Sequence, residues 1–253
     1  MNARTDGTTD KRKALLLVGS PRGKSSASQS IGSTLFRKLE AGGMEIEEMT
    51  VSAALQSTEN QHRMHKAVDA ADLVVVAFPL YVDQLPAPLI QTLELIAERR
   101  QGTLVASPSA GPLVQKLAAI VQCGFPETHQ NQTAVDIMRR FAKEAGFAWA
   151  GALAMGMGGA LGGRPLEKAG GMVRNVVKAL DMAAASLAVG GDIPEEASRL
   201  MARPLMPRWL YFLAANWGFR REIKKHGVRK RVYDRRQGAD SRERPAEARR
   251  SDS

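Results

Sequence analysis

Gly23-Lys24-Ser25 lies within the stretch Val18-Gly19-Ser20-Pro21-Arg22-Gly23-Lys24-Ser25-Ser26-Ala27-Ser28, just after the apolar run Ala14-Leu15-Leu16-Leu17. Gly-Lys-Ser ends the loop that cradles nucleoside triphosphates, whose full spacing is G-x-x-x-x-G-K-[ST]. Counting back from Gly23, the first glycine of that loop would be residue 18, which is Val18. Gly19 is one residue too close, so the glycine pair does not set the span that surrounds a di- or triphosphate. The acid expected at the end of a later apolar strand is also missing, because Asp72-Leu73-Val74-Val75-Val76-Ala77-Phe78 runs into Pro79. Both departures count against a phosphate-loop nucleotidase. The remaining chemistry suits a single phosphate. A strand-to-helix junction presents free amides and the positive end of a helix dipole. Ser20, Ser25, Ser26 and Ser28 add hydroxyls, and Arg22 adds charge. Helix capping is the plainer use for a serine here, but four serines and an arginine exceed what a cap needs.

The other candidate groups lie further along. Pro79-Leu80-Tyr81-Val82-Asp83-Gln84-Leu85-Pro86 is a loop bounded by prolines, and Tyr81 in it offers stacking area to a flat ring unless it is a core tyrosine. Cys123 is the only cysteine, which excludes an internal disulfide and any zinc or iron–sulfur site built on several thiolates. His129 is six residues on with no orienting acid, so Cys123 reads as a small buried residue at a strand end and not as a nucleophile. The four histidines, His62, His65, His129 and His226, form no ligand set. Gly156 to Gly163 misses G-x-G-x-x-G, because position 161 is leucine, and it follows the last strand. It reads as a turn near the ligand or a subunit contact.

Elements must bring these loops together. Strands are expected at 14–19, 44–51 (an edge), 72–78 (central), 116–123 and 148–155. Helices are expected at 28–41, 61–71, 87–99, 133–145 and, without a break, 166–189. Residues 101–114 read as an excursion, with a possible strand at 103–106. Five alternations of strand and helix predict a parallel sheet with helices on both faces, and ligands at the carboxyl ends of its strands. The loops that matter then follow the first, third and fourth strands.

The chain has 253 residues, 44% of them hydrophobic, and a formal charge of +10. From residue 219 onward, 13 Lys/Arg stand against 6 Asp/Glu, so the basic character belongs mostly to the tail. The first 13 residues lack the apolar core of a signal peptide, and no run reaches the roughly 18 apolar residues of a membrane span. A cytoplasmic protein is expected. Trp209, Leu210, Tyr211, Phe212, Leu213 and Trp217 precede a cluster of Arg and Lys. Docking onto the protein itself is the first expectation for residues 208–232 and a weak membrane-surface contact the second. Nucleic acid is a distant third.

Three segments in order, "GSPRGKSSAS", "AFPLYVDQLPAPL" and "IVQCGFPE", resemble the flavodoxin-like, NAD(P)H-dependent FMN reductase and oxidoreductase family. The resemblance covers residues 13–190, continues through "FAKEAGFAWAGALAMGMGGALGG", and is looser around 209–227. It implies a doubly wound α/β fold, a five-stranded parallel sheet of order 2-1-3-4-5, with a C-terminal helical extension over 191–232. Residues 1–12 and the basic 233–253 are expected to be disordered. It implies FMN with its phosphate on Ser20, Arg22, Ser25, Ser26 and Ser28. The ring would lie against Pro79, Leu80, Tyr81 and Val82, with Cys123, Gly124 and Phe125 at its far edge. It also implies NAD(P)H as co-substrate, a small-molecule electron acceptor such as a quinone, nitro or azo compound, and a homodimer. The rival within the same fold is an electron carrier or sensor without turnover.

Overall fold

The computed structural model describes residues 11–106 and 115–225. Its centre is a five-stranded, wholly parallel sheet of order β2-β1-β3-β4-β5. The strands are β1 (Lys13–Val18), β2 (Glu45–Thr50), β3 (Leu73–Pro79), β4 (Lys116–Gln122) and β5 (Ala148–Met155). The helices are α1 (Ala27–Ala41), α2 (Val51–Ala54), α3 (Thr58–Ala70), α4 (Ala87–Ala106), α5 (Gln132–Glu144), α6 (Arg174–Ala188), α7 (Glu195–Met201) and α8 (Arg208–Lys225).

The apolar runs of β1 and β3 have no polar alternation because both their faces are buried. Leu16, Val18, Val75 and Ala77 pack on one side against Ile31, Leu35 and Phe36 of α1 and Val176, Leu180 and Leu187 of α6. Leu15, Leu17, Val74, Val76 and Phe78 pack on the other against Met64 of α3, Leu89, Leu93 and Ile96 of α4 and Met138 of α5. β2 is an edge strand with no fully buried residue, which accounts for its acidic alternation, Glu45, Glu47 and Glu48.

The structure departs from the sequence expectations in three places. Residues 101–106 continue α4, and the rest of the expected excursion, 107–114, lies outside the described residues. The apolar periodicity of 87–99 carries on into Leu104 and Val105, and the glycine at 102 is too weak a stop to end a helix whose earlier turns are packed. The long helix expected at 166–189 is broken: Leu166–Val173 is 3-10 helix, Gly170 sits at φ 64° and ψ −151°, and α6 begins only at Arg174. The first compact unit runs to Tyr211, and Ala197, Leu200 and Met201 of α7 belong to its core cluster. Arg12, expected in a disordered leader, is anchored: its Nη1 donates to the carbonyls of Leu187 and Ala188 at 3.2 and 3.0 Å. Residues 1–10 and 226–253 lie outside the described residues. No helix among the described residues is long and apolar enough to cross a membrane.

Candidate functional site

In this strand order the chain leaves β1 toward one edge of the sheet and β3 toward the other. The loops after these two adjacent strands therefore diverge and open a crevice at their carboxyl ends, where open α/β sheets bind ligands. The loop after β1 starts pinned to β3 by the Gly19 amide on the Ala77 carbonyl, 2.9 Å. Gly19 is needed there, since a Cβ would stand 2.8 Å from Leu89 and 3.0 Å from Phe78. The chain then turns through Gly23 at φ 54° and a short 3-10 turn, Gly23–Ser25, into α1.

The five residues expected to hold phosphate divide into two groups. Ser26 is the N-cap of α1: its hydroxyl accepts from the Gln29 amide at 3.1 Å and donates to the Gly23 carbonyl at 2.7 Å. Ser20 is buried, with its Oγ 3.4 Å from the Arg22 amide, and Ser28 is fully buried, 3.5 Å from Nε2 of Gln122 on β4. These three hydroxyls shape the loop. Ser25 and Arg22 are exposed, and among the described residues no carboxylate pairs with Arg22. Ala27 and Ser28 stand in the first turn of α1, where amides have no carbonyl one turn back to bond. The loop thus presents helix-end amides, one hydroxyl and one guanidinium to an anion.

The loop after β3 begins at Leu80, whose amide donates to the Gln122 carbonyl at 2.8 Å and ties it to β4. Tyr81 and Gln84 exchange two backbone hydrogen bonds of 3.0 Å across a two-residue turn. Its central residues, Val82 and Asp83, both have left-handed φ, 49° and 58°. Such a turn favours Asn-Gly, and a β-branched residue there is strained. Val82 is 95% exposed, so no packing offsets the strain. Tyr81 is also exposed, whereas Pro79 and Leu80 are buried.

At the end of β4, Cys123 is committed to the interior. Its amide donates to the Met155 carbonyl, its carbonyl accepts from Gly158, and its thiol lies 3.7 Å from the carbonyls of Phe125 and Glu127. Burial pushes the thiol pKa above its ordinary value, with the hydrogen bonds from Phe125 and Asn131 opposing. Cys123 is buried, while Gly124 and Phe125 after it are exposed.

Three further participants stand out, of which only Gln122 was not named from sequence. Gln122 connects the loop after β3 and Ser28 to β4. The glycine-rich segment braces the whole crevice. A Cβ on Gly163 would stand 2.0 Å from the Ser25 carbonyl oxygen, one on Gly158 1.7 Å from Gln122, and one on Gly156 2.5 Å from the Pro126 oxygen. Its end is held on α1 by the Ser30 hydroxyl on the Arg164 carbonyl, 2.7 Å. The third is Tyr211, whose hydroxyl donates to the Gly124 carbonyl at 2.6 Å; burial raises its pKa. Arg208 pairs with Glu127 at 2.6 Å, and the Thr128 hydroxyl bonds the Ala202 carbonyl at 2.9 Å. A cleft of about 670 Å³ lies along this segment, lined by Pro126, His129, Met157, Leu205 and Pro207. A smaller one, about 240 Å³, lies at the end of β2 between Gln29, Thr50 and Arg63, away from the aromatic loops. Among the described residues no group of His, Cys, Asp and Glu is placed to hold a metal.

A family model described as flavodoxin-like fold matches residues 12–153, and the chain belongs to that family. No curated protein matches it. Among solved structures it is similar to an NAD(P)H:quinone oxidoreductase from Methanothermobacter marburgensis, at 14% identity and a TM-score of 0.50, over 70% of this chain and 97% of that one. It is also similar to an FMN-dependent NADH-azoreductase from Bacillus anthracis in complex with FMN, at 15% identity and a TM-score of 0.48, over 70% and 99%. A third is a quinone reductase from Klebsiella pneumoniae, described as putative, at 15% identity and a TM-score of 0.48, over 73% and 88%. The first of these, at a TM-score of 0.50 and 14% identity, shows likeness of fold alone.

Proposed function

We propose that this protein is an FMN-dependent NAD(P)H oxidoreductase that passes electrons to a quinone, a nitro or azo compound, or a similar small acceptor. The observation that carries the reading is the pairing of an anion-holding helix start after β1 with an exposed aromatic turn after β3, on adjacent strands at the crevice. The donor set fits FMN. Its single phosphate matches the first-turn amides of Ala27 and Ser28, the Ser25 hydroxyl and Arg22. Its flat ring would lie against the loop of Pro79, Leu80 and Tyr81, with Gly124 and Phe125 at its far edge. A Cβ built on Gly23 or Gly124 meets nothing within 4 Å, so both backbones are open to close approach.

When bound, the flavin supplies the redox chemistry, taking hydride from a nicotinamide and delivering electrons to the acceptor. The chain's part is to hold and orient it. Arg22 neutralises the phosphate, the α1 dipole adds to that attraction, and Ser26 keeps the helix start in place. Leu80 and Pro79 exclude water from one side of the ring. The loop after β4 is fixed from beneath by Cys123 and Asn131, whose Nδ2 donates to the Met155 carbonyl at 3.0 Å. Hydride transfer does not require a general acid from the protein.

The test is the visible spectrum of the purified protein after addition of FMN and desalting. Retained flavin bands, bleached by NADH or NADPH without oxygen, are the expected result. Retention lost in Arg22→Ala/Ser25→Ala would place the phosphate on this loop. Absence of flavin with FMN in excess would refute the reading. The electron-carrier alternative is separated by turnover: a carrier retains flavin but shows no steady NAD(P)H oxidation when acceptor is added.

A further inference from the structure

α8 carries an aromatic face that nothing among the described residues covers. Trp209, Leu213 and Trp217 recur every four residues and so lie along one side of the helix, at 69%, 60% and 65% exposure, and Phe219 is 72% exposed. The half-buried positions of the helix, Tyr211 and Ala215, are spaced by four on the opposite side. These exposed positions at four-residue spacing form an apolar patch of the kind that marks an interaction surface. Charge accompanies it. Arg220 and Arg221 follow directly, with Lys224 and Lys225 after them and Arg229-Lys230-Arg231 in the sequence beyond, against the single acid Glu222. The Arg221 guanidinium lies 5.7 Å from the centre of the Trp217 ring, so cation and aromatic share one region.

We propose that α8 docks on an anionic lipid surface. Its tryptophans and leucine would sit at headgroup depth, and its Arg and Lys residues would contact lipid phosphates. Tryptophan favours that depth because its ring is apolar and its N–H can still be hydrated. An 18-residue helix of this composition lies in the interface and does not span it. Charge selects this occupant over the alternatives. A second copy packed parallel on this face would set Arg220 and Arg221 against the same cations, and one packed antiparallel would set them against the start of α8, which carries Arg208 and no acid. The chain beyond residue 225 is itself basic and offers α8 little neutralisation. An anionic bilayer complements both features together. The first turn of α8 carries Tyr211, bonded to the Gly124 carbonyl, so the docking segment begins at the loop after β4.

The experiment is co-sedimentation of the full chain with vesicles of phosphatidylcholine alone or containing about one-third phosphatidylglycerol, together with quenching of tryptophan fluorescence by brominated lipid. Binding is expected only to the anionic vesicles. It should be released at about 0.5 M salt, where screening shortens to a few ångströms. Leu213→Glu/Trp217→Glu and Arg220→Glu/Arg221→Glu, all at exposed positions, should each lower the partition coefficient more than about tenfold while circular dichroism stays unchanged. No sedimentation with anionic vesicles overturns the proposal, as does sedimentation that both double variants leave intact. A wild-type dimer that Leu213→Glu/Trp217→Glu converts to monomer, with no lipid binding in either form, would assign the face to a second copy instead. None of these readouts depends on flavin.

Discussion

Replacing Gly163 with alanine tests whether the glycine-rich segment after β5 sets the shape of the phosphate-holding loop. The new Cβ would stand 2.0 Å from the Ser25 carbonyl oxygen and 2.6 Å from its carbon. Ordinary contact begins at 3.4 Å, so one of the two backbones must move by about 1.4 Å. Neither atom belongs to a side chain that could swing aside. Gly163 also has φ 71°, where alanine costs about 1–2 kcal/mol. Overpacking adds about 1–3 kcal/mol, so a total loss of about 3 kcal/mol is expected. The neighbouring Gly162 supplies the control. It has φ 56° but meets nothing within 4 Å, so Gly162→Ala should cost only the conformational 1–2 kcal/mol, about half as much. Urea unfolding of both variants gives the stability difference. FMN titration gives the second readout, because the displaced Ser25 backbone carries a hydroxyl assigned to the phosphate. Gly163→Ala should therefore weaken FMN binding, and Gly162→Ala should keep it. Equal losses in the two variants, in stability and in affinity, would refute the bracing role.

Val82→Asn/Asp83→Gly gives the turn after Tyr81 the residues its left-handed backbone favours, and should raise unfolding stability by about 1 kcal/mol in a urea titration. Ser26→Ala removes the α1 cap and should cost about 1 kcal/mol, whereas Ser25→Ala should leave stability unchanged and weaken FMN binding, as read by unfolding and by titration of the same two proteins. Cys123 predicts an alkaline effect. Its folded pKa is raised, so as pH climbs through the ordinary thiol range the unfolded chain ionises first and the folded state is disfavoured. Stability should be complete below about pH 8 and fall from about pH 9 upward, and Cys123→Ala should flatten that slope in unfolding measurements across the range. Tyr211 adds a loss of the same sign at higher pH, so the variant should keep the later part of the fall.

Much of the fold was legible because local signals and tertiary demand agreed. Leu73 to Phe78 can be read as a central strand because burial on both faces leaves no room for alternation. The loops of interest were located by the same logic, since their positions follow from strand ends. What each serine does was not legible. Ser20, Ser25, Ser26 and Ser28 look alike in sequence, and the path of the chain through Gly23 decides that Ser26 caps while Ser25 stays exposed. Gly170 resembles other tolerated helix glycines, yet its conformation breaks the helix expected at 166–189. Ile90 carries the periodicity of a core position on α4 but is partly exposed, while Leu89 beside it is fully buried.

The sequence by itself determined the alternation of apolar strand and amphipathic helix, the strand ends where a ligand could sit, and the failure of Gly19 and Gly23 to space a triphosphate loop. These depend on neighbours within a few residues, where sterics and periodicity act directly. Only the tertiary structure decided that Gly163 closes on Ser25, that Gln122 joins two loops, and that Tyr211 reaches Gly124. Each of these is a meeting of segments far apart in the chain. Which segments meet is set by how the whole core packs, and local residue pattern carries little of that information.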